Sequence, residues 1–74
     1  MLLARELAGV VEQAISHMPG ELREVIVLRD MEGMSYEQIA RIAGCPLGTV
    51  KSRLNAARGR LRAVVLEWQG EQRP

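Results

Sequence analysis

Residues 45–63 carry side chains suited to binding a polyanion. This stretch holds five cations and no acid. The cations are Lys51, Arg53, Arg58, Arg60 and Arg62. Ser52 and Asn55 lie among them, and their side chains both donate and accept hydrogen bonds. These residue types indicate hydrogen bonding to the base edges of a nucleic acid, with cations on either side for its phosphates.

A helix over residues 47–68 would place these groups on one surface. Apolar residues recur at spacings of three and four from Val50 to Trp68, which predicts a single buried stripe. At about 100° per residue, Ser52 and Asn55 lie roughly opposite that stripe, with cations on both flanks. A polar ridge of this kind fits the floor of a DNA major groove, whose walls are phosphates.

A short helix over residues 36–43 is predicted immediately before the basic helix. Ser35 is a good N-cap, and Gln38 three residues later can complete a capping box. Gly44 can take the left-handed conformation that ends a helix, and Pro46 suits the first turn of the next one. A short capped helix, a turn and a longer basic helix are the layout of a helix-turn-helix.

Two further helices are predicted upstream, over about residues 2–16 and 20–32, separated by Pro19-Gly20. The run VIVL at 25–28 has strand propensity, but no second strand-like segment is available to pair with it. We therefore predict one all-α, four-helix bundle-like domain over residues 1–74 that ends in a helix-turn-helix. The tail at 69–74 lacks periodicity, and we expect it to fray.

The composition limits the possible functions. The net charge is only +1, but residues 1–44 contain seven acids and four cations, so the cationic surface is confined to the last helix. One Cys and one His cannot form a zinc site, and no catalytic triad or phosphate-binding glycine loop is present. We expect no metal, no cofactor and no enzymatic activity. No apolar run approaches the length of a membrane span, so we expect a cytoplasmic protein.

Two segments resemble a known family. LRDMEGMSYEQIA at 28–40 and GTVKSRL at 48–54 are similar to the C-terminal region-four domain of bacterial extracytoplasmic-function (ECF) sigma factors of the sigma-70 family. The resemblance covers most of the chain. It implies binding to the minus-35 promoter element in double-stranded DNA, docking on the beta-subunit flap of RNA polymerase, and control by an anti-sigma factor. It also implies a monomeric fragment that lacks the domain by which these factors open promoters.

The resemblance also assigns roles to individual residues. Base contacts would fall on Lys51, Ser52 and Asn55. Phosphate contacts would fall on Ser35, Tyr36, Thr49, Arg53 and Arg58. Family members often carry Arg at the position of Ala56, so one phosphate contact would be missing here. Arg53 and Arg58 could instead stabilise the fold through ion pairs with acids of the second or third helix.

Two other interpretations remain open. The chain could be the DNA-binding domain of a response-regulator-type transcription regulator, in which the last helix usually dimerises. It could also act mainly in protein–protein binding, through apolar residues of the first two helices. The candidates for that role are Leu3, Leu7, Val10, Ile15, Val25 and Leu28.

Overall fold

Four helices follow one another in the computed structural model, which describes residues 2–72. The first helix, α1, spans Leu2–Ser16, and α2 spans Gly20–Ile26 and continues directly into a π-helical turn, Val27–Met31. Helix α3 spans Tyr36–Ala43 and α4 spans Leu47–Glu71. The prediction of an all-α fold is confirmed. Among these described helices, none is long and apolar enough to cross a membrane.

The core is aliphatic and centres on the first half of α4. Helix α4 packs against α1, α2 and α3, so it is the element that joins the other three. Its predicted apolar stripe begins with Val50, Leu54 and Ala57, all of which are buried. The remaining buried side chains come from the other helices and the turn after α1: Ile15, Met18, Val25, Ile26 and Ile39. Burial of this stripe leaves the opposite face of α4 to solvent.

Local side-chain and backbone chemistry sets the bounds of α3. The Gln38 amide donates to Ser35 Oγ over 3.1 Å, and the Ser35 amide donates to Gln38 Oε1 over 2.9 Å, which completes the predicted capping box. Gly44 ends the helix with a φ of 67°, the left-handed conformation expected there. Helix α4 starts at Leu47, directly after Pro46. Residues close in sequence therefore determine where α3 ends and where α4 begins.

The second predicted helix differs from a uniform α-helix. Its last turn is π-helical, and the Glu32 amide donates to the Val27 carbonyl over 3.1 Å, five residues back. Gly33 then takes a φ of 68°, and the Met34 amide donates to the Leu28 carbonyl over 3.1 Å. A π turn holds more residues than an α turn, so it changes the directions in which its side chains point.

The prediction of a frayed tail from residue 69 is wrong for residues 69–71, which continue α4. Gln69 and Glu71 are good helix formers, and no proline occurs between Pro46 and Pro74 to interrupt the backbone hydrogen bonds. The Gln72 amide still donates to the Trp68 carbonyl over 3.2 Å. Residues 73 and 74 of the expected tail lie outside the described residues.

Candidate nucleic-acid interface

The solvent side of the first half of α4 presents the three residues predicted to contact bases. Lys51, Ser52 and Asn55 are all exposed, and we call them the recognition face. Val50 directly precedes them and Leu54 lies among them in sequence, and these two are buried at 0% and 2% exposure. The helical phase inferred from the apolar stripe is therefore present in the structure.

Ser52 already uses its hydroxyl proton within the helix. Its Oγ donates to the Thr49 carbonyl over 3.1 Å. The hydroxyl oxygen still has lone pairs that can accept a hydrogen bond from a ligand. Thr49 itself is half-buried at the base of the same turn.

The start of α3 borders the recognition face. A cleft of about 400 Å³ lies between the two helices of the helix-turn-helix. Ser35 and Tyr36, two of the predicted phosphate-contacting residues, line it together with Lys51. The remaining lining residues are Arg29, Glu37 and Leu47. Backbone amides at the start of a helix and nearby cations are both suited to binding a phosphate.

Arg29 was not among the predicted site residues, although the structure brings it to this cleft. Its Nη1 donates to the Met34 carbonyl over 2.7 Å, and its guanidinium carbon lies 4.9 Å from the centroid of the Tyr36 ring. This cation–π geometry fixes the charge at the edge of the cleft. No spacing rule would have identified Arg29, since the π turn that directs it is not visible as a sequence pattern.

Arg53 is engaged with its own protein. Its Nη2 lies 3.6 Å from the Glu21 carboxylate, and its Nη1 donates to the Cys45 sulfur over 3.8 Å. The side chain is only 21% exposed. These contacts correspond to the structural role weighed for Arg53 as an alternative to phosphate binding.

Arg58 forms a second ion pair, with an acid of the π turn. Its Nη2 donates to Asp30 Oδ1 over 2.9 Å. That hydrogen bond, followed by the charge attraction of Asp30, raises the pKa of Arg58 above its ordinary value. Arginine is protonated throughout the physiological range, so Arg58 stays charged and the pair is not a pH switch on the arginine side.

The remaining candidates divide between surface and core. Arg60 and Arg62 are exposed, as is Ala56, the position at which the resemblance implied a missing phosphate contact. Among the apolar residues considered for partner binding, Ile15 and Val25 belong to the core, whereas Leu3 is 58% exposed. The other three, Leu7, Val10 and Leu28, are half-buried.

Comparison with known proteins places this arrangement in a family. A family model described as "Sigma-70, region 4" matches residues 8–61, which include both helices of the helix-turn-helix up to Leu61. The ECF RNA polymerase sigma-E factor of Escherichia coli K12 is 47% identical over 58 residues, covering 78% of this chain and 30% of that protein. The sigma-E factor of Haemophilus influenzae is 47% identical over 57 residues, covering 77% of this chain and 30% of that protein.

The chain thus spans about 30% of the length of the curated relatives that it matches. The family match contains the cap at Ser35, the turn at Gly44 and the whole recognition face. The extent of this match and the identity to the sigma-E factors together support one conclusion: the chain belongs to the sigma-70 region 4 family.

Proposed function

We propose that this chain is the promoter-reading domain of an ECF sigma factor, and that it recognises the minus-35 element of double-stranded DNA. The observation that carries the proposal is the recognition face, which is exposed on α4 while Val50 and Leu54 anchor the opposite side of the same turns in the core. An anchored helix with a short polar ridge can enter a major groove without rearrangement of the fold.

The recognition face supplies complementary hydrogen-bonding groups. Lys51 can donate to the acceptors of guanine, and the amide of Asn55 can pair with adenine in a bidentate manner. Each good contact of this kind discriminates against the wrong base by about 1–3 kcal/mol. Ser52 contributes an acceptor, because its proton is held by the Thr49 carbonyl.

Phosphates on either side of the groove would fix the orientation of the domain. We propose that Ser35, Tyr36 and Thr49 contact one stretch of backbone near the cleft, with Arg29 adding charge there. Arg58 is half-exposed and can reach solvent from its ion pair, whereas Arg53 is mostly covered. Among the two arginines predicted to bind phosphates, Arg58 is therefore the stronger candidate.

The partners follow from the proposed role. The relatives are RNA polymerase sigma factors by name, so we propose that this domain helps direct RNA polymerase to transcription initiation by docking on the beta-subunit flap. An anti-sigma factor would regulate it, and both interactions would take place in the cytoplasm. Membership of a transcription-factor family supports a role without catalysis.

The alternative of a dimerising regulator has one observation in its favour. Leu66 is 59% exposed on the second half of α4, where such regulators associate. We nevertheless propose a monomer, because α1 already packs against α4, and Val64 and Trp68 of that segment line one cleft with Val10 of α1. Sedimentation equilibrium at micromolar concentration tests this: a dimer would favour the alternative.

The experiment for the main proposal is a selection of random duplex DNA on the folded domain at low salt. We expect enrichment of a short motif, and we expect Lys51→Ala and Asn55→Ala to lose or change it. Retention of DNA without an enriched motif would contradict sequence recognition and leave only a non-specific basic helix.

Two matched controls separate base contacts from general effects. Gln69→Ala removes an exposed amide from the other end of α4, and Arg5→Ala removes an exposed cation from α1. Both variants should select the same motif as the unmodified domain. If either control alters the motif, the recognition face has been assigned to the wrong surface.

A further inference from the structure

We propose that Asp30 is a brake on DNA binding: it holds Arg58 in the free domain, and DNA must take Arg58 from it. This inference rests on the proposed function, since it concerns the same interface. Asp30 would lower the affinity of the interface for DNA, whereas the other residues assigned to this interface raise it.

Arg58 lies on α4, beyond the recognition face. Arg58 follows Lys51 by seven residues, which is about two turns of an α-helix and places both on the same flank. Arg58 would therefore face the phosphates beside the groove that Lys51 enters, about 10 Å further along the helix axis. In the free domain, however, the Arg58 guanidinium is directed at Asp30 Oδ1, 2.9 Å away.

The ion pair between Arg58 and Asp30 can be broken easily, so that a DNA phosphate can replace the carboxylate. The side chains of Arg58 and Asp30 are 42% and 48% exposed, so water already solvates both partners. Exposed ion pairs of this kind stabilise a fold only weakly. A DNA backbone presents closely spaced negative charges and releases counterions when it binds a cation, so it can compete with a single carboxylate.

Arg53 differs from Arg58, because it contacts both Glu21 and Cys45. Arg53 is 21% exposed and also donates to Cys45, so removing Glu21 would leave it held in place. The backbone at Asp30 is part of the π turn, in which the Glu32 amide donates to the Val27 carbonyl. Asp30 is thus held at the edge of the interface, while Arg58 can rotate away from it.

The test measures binding of the domain to two duplexes, one with the selected motif and one with a scrambled sequence. Asp30→Asn keeps the size of the side chain and removes its charge. We expect tighter binding to both duplexes, by about 1.5- to 5-fold at low salt, the range that exposed ion pairs span. Because DNA displaces Asp30 in the unmodified domain as well, Arg58 neutralises the same phosphate in both proteins, and the slope of log K against log salt should change by less than about 0.9, the value of one phosphate contact.

Two controls separate release of Arg58 from a general change of charge. Glu32→Gln makes the same charge change two residues away, at an exposed side chain, and should change affinity less than Asp30→Asn. In an Arg58→Ala background, Asp30→Asn should have no more effect than Glu32→Gln. Asp30→Ser, which removes the carboxylate and shortens the side chain, should behave as Asp30→Asn does, and thermal melts should show every variant folded.

The outcomes distinguish this inference from the proposed function. If the unmodified domain binds neither duplex, both are overturned. If it binds and Asp30→Asn leaves affinity unchanged or lowers it, the brake is overturned and the proposed function stands. The brake is also overturned if Asp30→Asn strengthens binding equally with and without Arg58.

Discussion

The salt dependence of DNA binding can be worked out from the cations that the structure places near the recognition face. Arg60 and Arg62 are exposed and Arg29 lines the cleft, so these three can neutralise phosphates without breaking an ion pair with an acid of the described residues. Arg53 and Arg58 would raise the number to five if DNA displaced their carboxylates. The slope of log K against log salt is about −0.9 per phosphate, which gives about −2.7 for three contacts and −4.5 for five.

These slopes predict large effects over an accessible range. Raising salt from about 50 to 200 mM should weaken binding about 40-fold with three contacts and about 500-fold with five. Fluorescence anisotropy of a labelled duplex that contains the selected motif would measure the slope directly. Arg62→Gln should make the slope shallower by about 0.9, whereas Arg5→Gln, on the exposed surface of α1, should leave it unchanged.

A shallow slope would contradict binding of the DNA backbone by α4. If the slope of the unmodified domain is weaker than about −1, fewer than two phosphates are neutralised, and the cationic flanks of α4 do not bind the backbone. The same conclusion follows if Arg5→Gln changes the slope as much as Arg62→Gln does.

Three further predictions concern single residues. Asn55→Ala should relax sequence preference with a nearly unchanged melting temperature, because Asn55 is exposed. DNA selection and thermal melts of the variant check this, and unfolding of the variant would contradict the helical phase assigned to α4. Ser35→Ala should lower the free energy of unfolding in urea by about 0.5–2 kcal/mol through loss of the N-cap of α3; an unchanged midpoint would show that the cap contributes nothing. Gly44→Ala should destabilise by about 1–2 kcal/mol, because a side chain strains its φ of 67° even though space for a Cβ is open. In contrast, Gly9→Ala, in open space within α1, should stabilise by about 1 kcal/mol in the same assay; equal effects would contradict the backbone argument.

The bounds of the helix-turn-helix were readable from the sequence because short-range interactions decide them. Ser35 and Gln38 are three residues apart, and their reciprocal hydrogen bonds form whenever a helix starts between them. Gly44 ends α3 because glycine accepts a positive φ without strain. The phase of α4 was also readable, because Val50 and Leu54 mark the side that must avoid water.

The extent of α4 was less predictable. The apolar stripe becomes weak after Trp68, yet the helix continues to Glu71. Periodicity reports which residues are buried, whereas a helix end on the surface depends on propensity and on backbone hydrogen bonds that a polar segment can also form. The prediction of a frayed tail was wrong for residues 69–71 for that reason.

The set of helices, the helix-turn-helix and the solvent-facing side of α4 could all be predicted from the sequence, because each depends on contacts within a few residues. Which cations on that helix are paired with acids depends instead on how the helices pack. Arg58 and Asp30 are 28 residues apart in the chain and meet because α2, which continues into the π turn, packs beside α4. No spacing rule encodes such a pair, since its distance depends on how whole helices pack and not on the chain between them.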